Sequence, residues 1–162
     1  MTQSTTAARS VRPIPEGYTS VTPALTVRDA ARAIEFYTRA FGARELDRMP
    51  SPDGRIWHAE IQIGDARLML ADEFPEMGGR AVESLGGTPV SLHLYVQDAD
   101  TVVQRAIDAG ATVIQPLTNA FWGDRYGRLK DPFGHEWGVA THVEDVSEQE
   151  MQRRAQAAAS TS

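Results

Sequence analysis

The side chains of this 162-residue chain that could do chemistry fall into three short groups. The first is Phe121-Trp122-Gly123-Asp124-Arg125-Tyr126-Gly127, which sets an indole, a carboxylate, a guanidinium and a phenol side by side. Such groups are expensive to crowd without a purpose, so the run suits the lining of a ligand cavity. A surface loop with an Asp124–Arg125 ion pair and Trp122 covering the core would hold the same residues. The second group lies in residues 57–63, where strand alternation puts His58, Glu60 and Gln62 on one face and Ala59, Ile61 and Ile63 on the other. The third is split between two strands: Ser91, His93 and Tyr95 share one face, and Glu136, Gly138, Ala140 and His142 share another. These faces could carry proton transfer, with His93 or Glu60 as general base, Glu136 as a further carboxylate, and Arg125 or Tyr126 stabilising oxyanion charge. A carboxylate on a deep wall would have a raised pKa suited to a base, whereas one at a solvated mouth would not. His93 also reads as a hydrogen-bonded interior histidine, and His135 and His142 as structural or exposed. No nucleophile, base and orienting group stand at a spacing that selects catalysis over binding.

The elements that must position these groups can be read in order. Residues 21–27 alternate and form a strand, with Pro23 near its start. Asp29 caps a helix over Ala30–Phe41, in which Ala33, Ile34, Tyr37 and Phe41 recur at helical spacing and Gly42 marks the end. Strands at 44–48, 57–63 and 67–71 follow, divided by the turns Ser51-Pro52-Asp53-Gly54 and Gly64-Asp65. The pattern then repeats, because Leu25-x-Val27-x-Asp29-Ala30 is matched 69 residues later by Leu94-x-Val96-x-Asp98-Ala99. The second unit has a strand at 90–96, a helix over Ala99–Ala109, and strands at 112–116, around 125–129 and at 135–141. Asp131-Pro132-Phe133-Gly134 is the turn into the last of these. Between the units, residues 73–88 carry four glycines and no clear element, as in a flexible linker or lid. Ser147 to Glu150 forms a capping box, opening a short helix to about Ala158.

Composition narrows the partners. With 41% hydrophobic and 23% charged residues the chain can bury the core of one domain or two small modules. A net charge of −6 and the lack of a basic run argue against nucleic acid. Cysteine is absent, which removes disulfides, thiolate nucleophiles and zinc–thiolate sites and fits a reducing compartment. Residues 1–17 are polar and Pro-containing, which predicts a mobile arm with neither a signal peptide nor a membrane span. A cytoplasmic protein with no membrane partner is the expectation.

Two tandem β-α-β-β-β units carrying Leu25-x-Val27-x-Asp29-Ala30-x-x-Ala33-Ile34-Glu35-Phe36-Tyr37 and the Asp-Pro-Phe-Gly turn resemble the vicinal-oxygen-chelate superfamily. That group includes glyoxalase I, extradiol dioxygenases, and fosfomycin- and bleomycin-resistance proteins. Within it, His58–Glu76, Ser91–Val96 and Phe121–Gly127 resemble the PhnB-like or glyoxalase-like branch. The resemblance covers residues 18–142, as modules 18–72 and 89–142 with 143–162 as a C-terminal helix and tail. It implies an α+β fold in which two tandem βαβββ modules form a cupped mixed sheet with helices outside. It also implies a homodimer, and four metal positions that fall on Thr22, Met69, Ser91 and Gly138. None of these is His, Glu or Asp, so no metal or other cofactor is expected there, and a displaced divalent-metal site on His93 or Glu60 is the alternative.

Two functions follow from this reading. One is metal-independent binding of a small organic ligand between Trp122, Tyr95 and the cup walls, with Asp124, Tyr126, His58 and Gln62 as further contacts. The other is an isomerase, lyase or hydrolase step on a small oxygenated substrate, driven by His93, Glu60, Glu136 and Arg125.

Overall fold

The computed structural model describes residues 11–160, so the first ten residues of the arm expected at 1–17 lie outside the described chain. The first module runs β1 (Ala24–Val27), α1 (Ala30–Phe41), β2 (Arg44–Pro50), β3 (Ile56–Ile63) and β4 (Ala66–Asp72). The second runs β5 (Ser91–Tyr95), α3 (Ala99–Ala109), β6 (Thr112–Asn119), β7 (Asp124–Lys130) and β8 (Glu136–His142). A one-turn helix α2 (Val82–Leu85) lies between them and α4 (Glu148–Ala159) follows. The four strands of each module form one mixed sheet, in the orders β1-β4-β3-β2 and β5-β8-β7-β6. The first strand of each module runs parallel to the last.

The repeat legible in the sequence is a repeat of register. Ala24 faces Met69 across β1 and β4, and His93 faces Gly138 across β5 and β8, each residue 69 positions on from its counterpart. The capping groups repeat as well. Asp29 and Asp98 each accept from the backbone N–H three residues ahead, and Gly42 and Gly110 close the two helices in the left-handed conformation. Asp72, the last residue of β4, accepts from the N–H of Ala30 and of Ile56. Its counterpart Thr141 accepts from Ala99 N–H and donates to the Val96 carbonyl.

Each helix covers one face of its own sheet, α1 packs on α3, and a shared core runs through Tyr37, Phe41, Phe133 and Trp137. At its centre sits the carboxylate of the Asp-Pro-Phe-Gly turn. Asp131 is buried and accepts four hydrogen bonds: from Tyr37 Oη at 2.5 Å, Trp137 Nε1 at 3.0 Å, and the N–H groups of Phe133 at 2.9 Å and His135 at 3.0 Å. Burial, reinforced by the Asp131 charge, pushes the Tyr37 phenol well above its usual range, so the phenol remains the donor. The turn is thus the joint at which the first module's helix is bonded to the second module's last strand.

Three local expectations change. Residues 73–88 do contain elements: a 3-10 turn over Pro75–Met77 and α2. Glu73 accepts from Ala81 N–H, Phe74 is buried under the Arg55 guanidinium, and Val82 packs where a side chain on Gly134 would lie, so contacts remote in sequence hold a segment with weak intrinsic preference. The first strand begins at Ala24, leaving Val21 exposed. The capping box is half formed: Ser147 accepts from Glu150 N–H, but the Glu150 carboxylate turns to Arg153 and Arg154.

Candidate functional site

The face of the second sheet opposite its helix carries a wall of rings. His93 stacks on Tyr126 at 5.6 Å between centroids and meets Tyr95 edge-on at 4.7 Å, while Trp122 lies tilted against Tyr126 at 5.6 Å. Gly138 makes room for this arrangement, because a Cβ there would stand 2.7 Å from His93 Nδ1 and 3.0 Å from Tyr126. Neither His93 ring nitrogen has a hydrogen-bond partner among the described residues, and both His93 and Tyr95 are exposed.

Asp124 fixes the polar edges of the wall. It is 3% exposed, and one carboxylate oxygen accepts from Tyr95 Oη at 2.9 Å and Trp122 Nε1 at 3.1 Å. The other oxygen lies 2.8 Å from His142 Nδ1, and His142 Nε2 lies 2.8 Å from Asp145. Gly123 sets the turn that delivers both Trp122 and Asp124. At φ +102° it accepts from Val143 and Glu144 N–H, and a Cβ would fall 2.1 Å from the Glu144 carbonyl oxygen. Burial alone would raise the Asp124 carboxyl, but His142, Tyr95 and Trp122 outweigh it and hold the pKa below the usual range. The same bond raises the Tyr95 phenol.

His142, which reads from sequence as structural or exposed, is a clamp between two carboxylates. Asp145 first and Asp124 second raise its imidazolium above the ordinary value of 6.5. Because the folded pKa exceeds the unfolded one, the stability this clamp contributes is complete below about pH 6.5 and is lost as pH rises through the folded value. We expect the His142 ring signals in NMR to titrate with a midpoint above 6.5, and His142→Gln to flatten the dependence of melting temperature on pH in that range. A midpoint at or below 6.5, or an unchanged slope in the variant, would show that the clamp does not operate.

Other residues singled out in the sequence are deployed differently. Arg125 does not pair with Asp124 or join the ring wall: alternation along β7 turns it to the opposite face, where it bonds Asp100 and Asn119. The cation on the ring-bearing face is Arg128, bonded to Glu136 at 2.6 Å. Glu136 is thereby neutralised, one row of residues from His93. On the first sheet, His58 lies 3.1 Å from Glu60, and Gln62 bonds Arg44 and the Gly64 carbonyl. The Tyr18 hydroxyl and His58 hold Glu60 below the usual carboxylate range, the opposite of what a buried general base needs.

The metal positions implied by the fold do not fit a metal. Thr22, Met69 and Ser91 offer neutral or soft donors, and Gly138 offers none, its side-chain space being taken by His93. Among the described residues no three His, Asp or Glu side chains converge.

Paired βαβββ modules, each with a mixed four-stranded sheet that leaves one face free of helix, define the class of fold. The family model for the Glyoxalase/Bleomycin resistance protein/Dioxygenase superfamily matches residues 19–139, and the chain belongs to that superfamily. It is 49% identical over 136 residues to Rv0887c of Mycobacterium tuberculosis, covering 82% of this chain and 80% of that protein. Among solved structures, TioX from Micromonospora sp. ML1 is similar with a TM-score of 0.60 and 30% identity, over 78% of this chain and 100% of that one. The PhnB protein from Bacillus cereus shares the fold with a TM-score of 0.59 at 19% identity, over 76% and 99%. Among the described residues no helix is long and apolar enough to cross a membrane.

Proposed function

We propose that the protein binds a small, planar organic molecule against the wall formed by His93, Tyr95, Tyr126 and Trp122, without a metal. The observation that carries this reading is the rigidity of a wall that solvent can still reach. Asp124 ties down the polar edges of Tyr95 and Trp122, so the ring faces are pre-ordered and little rotamer freedom is lost when a flat ligand stacks on them. Binding is favoured over acid–base catalysis because the groups available for catalysis are engaged or misplaced. Glu136 is neutralised by Arg128, Glu60 is held as a weak base, Arg125 faces away, and His93 has no orienting partner among the described residues. Titration of the full chain with a panel of planar heteroaromatic compounds, followed by NMR, tests this. Saturable shifts clustered on Tyr95, Trp122 and Tyr126 are expected, and their absence across the panel would overturn the reading.

The wall encloses a ligand on one side only, and we assign the opposite side to a second copy of the chain in a cytoplasmic homodimer. Partial exposure of large rings such as Tyr95 and Phe121 beside the site supports this. Sedimentation equilibrium at micromolar protein should give twice the chain mass. A monomer mass that does not change with concentration would rule the arrangement out.

A further inference from the structure

A second cavity lies on the first sheet, where the chain preceding β1 folds back over the strands. Its turn is specific: Tyr18 N–H donates to the Pro15 carbonyl at 3.2 Å, and Gly17 adopts φ +83°. Any side chain on Gly17 would collide with the Arg67 guanidinium, its Cβ falling 2.4 Å from Nη2. The close approach lets Arg67 lie over the Tyr18 ring, 4.7 Å from its centroid. Beneath this strap is a cavity of about 500 Å3, lined chiefly by Pro13, Ile14, Tyr18, Thr22, Glu60 and Met69, a volume within the range of small-ligand sites.

Two polar atoms in this cavity are under-used. The Tyr18 hydroxyl is buried and meets no partner at full hydrogen-bond geometry among the described residues, although it interacts with Glu60. Its interaction with the Glu60 carboxylate, followed by burial, raises the phenol above its usual range. One oxygen of Glu60 lies 3.1 Å from His58 Nε2, and the carboxylate, partly exposed to the cavity, also meets the Tyr18 hydroxyl. A buried hydroxyl short of a well-formed hydrogen bond, beside a partly exposed carboxylate, favours a ligand that brings donors. Held below the usual range, Glu60 is an anion at neutral pH, which selects the charge of that ligand.

We propose that this cavity binds a small organic ammonium ion with an apolar body. The ammonium donates to the Glu60 carboxylate and to the Tyr18 hydroxyl, which can in turn donate to Glu60. The apolar body lies on Met69, Ile14 and Pro13, and the strap closes over it. A carboxylate of the same shape would meet the like charge of Glu60, and an alcohol would keep a hydrogen bond while forfeiting the ionic attraction. The site contains no residue of the ring wall and goes beyond the binding function proposed above.

The test compares 2-phenylethylamine, 2-phenylethanol and 3-phenylpropionate as probes, titrated into the full chain at pH 7 and followed by NMR. The amine should bind saturably, at least tenfold more tightly than the alcohol, and the carboxylate should not bind. Glu60→Gln should weaken the amine at least tenfold and Glu60→Asp, which keeps the charge, should weaken it less. Tyr18→Ala should weaken it too, and Trp122→Ala should leave it unchanged, with thermal melts checking that each variant folds. Equal affinity for amine and alcohol, no saturable amine binding, or an undiminished affinity in Glu60→Gln overturns the proposal. Loss of amine binding in Trp122→Ala also overturns it, by placing the amine on the ring wall instead.

Discussion

Replacing Asp131 by Ala is expected to destabilise the protein by about 3–5 kcal/mol. The carboxylate is 4% exposed and is the acceptor for Tyr37, Trp137 and two backbone N–H groups. Its removal strands three buried donors and the part-buried His135 N–H, and each buried unsatisfied donor costs about 1–3 kcal/mol before relaxation or water entry recovers part of the loss. The variants order themselves by what they keep. Asn retains an acceptor oxygen for part of the network but presents an amide to donors, and so should fall between wild type and Ala. Tyr37→Phe removes one donor and leaves the other three in place, and should cost about 1–2 kcal/mol. Urea denaturation with the slope held common reads these differences from the midpoints. A loss below about 1 kcal/mol for Asp131→Ala would mean that the turn does not join the modules through this carboxylate.

That role also shows what the sequence could and could not disclose. The Asp-Pro-Phe-Gly turn was legible because Pro132 and Gly134 signal it locally, but the partners Tyr37 and Trp137 are core positions whose polar atoms no periodicity reveals. Helices α1 and α3 were legible to the residue, since Asp29 and Asp98 open them and Gly42 and Gly110 close them. The faces of β3 and β8 were also readable, because alternation needs only one fixed point and the apolar residues Ala59, Ile61, Trp137 and Val139 supply it. Strand β7 has such a point in the buried Leu129, whose alternation turns Arg125 away from the rings and Asp124, Tyr126 and Arg128 toward them. The crowding of polar and aromatic groups at 122–126 outweighs that single apolar residue in a reading of the sequence. Hence Arg125 was drawn into the site and Arg128 overlooked. A structural role for His142 is readable, but not its partners, since Asp124 and Asp145 are brought together by the return of the chain at Gly123. Tyr18 was assigned to the start of a module rather than to a cavity, because Arg67 and Glu60 lie some forty or more residues away along the chain.

Trp122→Ala is expected to weaken binding of a planar ligand by about tenfold to a hundredfold, equivalent to roughly 1–3 kcal/mol, while leaving the fold intact. The indole stands partly exposed, with one side against Tyr126, its edge toward Phe121, and its N–H on Asp124. It therefore does not fill the core, and truncating it should cost about 1–2 kcal/mol of stability, from lost contacts and one lost donor to Asp124. A Trp that plugged the core would instead cost about 3–5 kcal/mol. The two contributions of the side chain separate in Trp122→Phe, which keeps an aromatic face and loses the N–H. If stacking dominates, Phe should recover most of the affinity; if the Asp124 bond holds the wall in place, Phe should bind nearly as weakly as Ala. Gly138→Ala approaches the same site from the other side. The new methyl would displace the exposed His93 ring, so affinity should fall with little loss of stability in a strand where Gly has no conformational advantage. Denaturation and ligand titration on the same three variants decide the matter: unchanged affinity combined with a stability loss of about 3 kcal/mol or more in Trp122→Ala would remove the ring wall from the binding site.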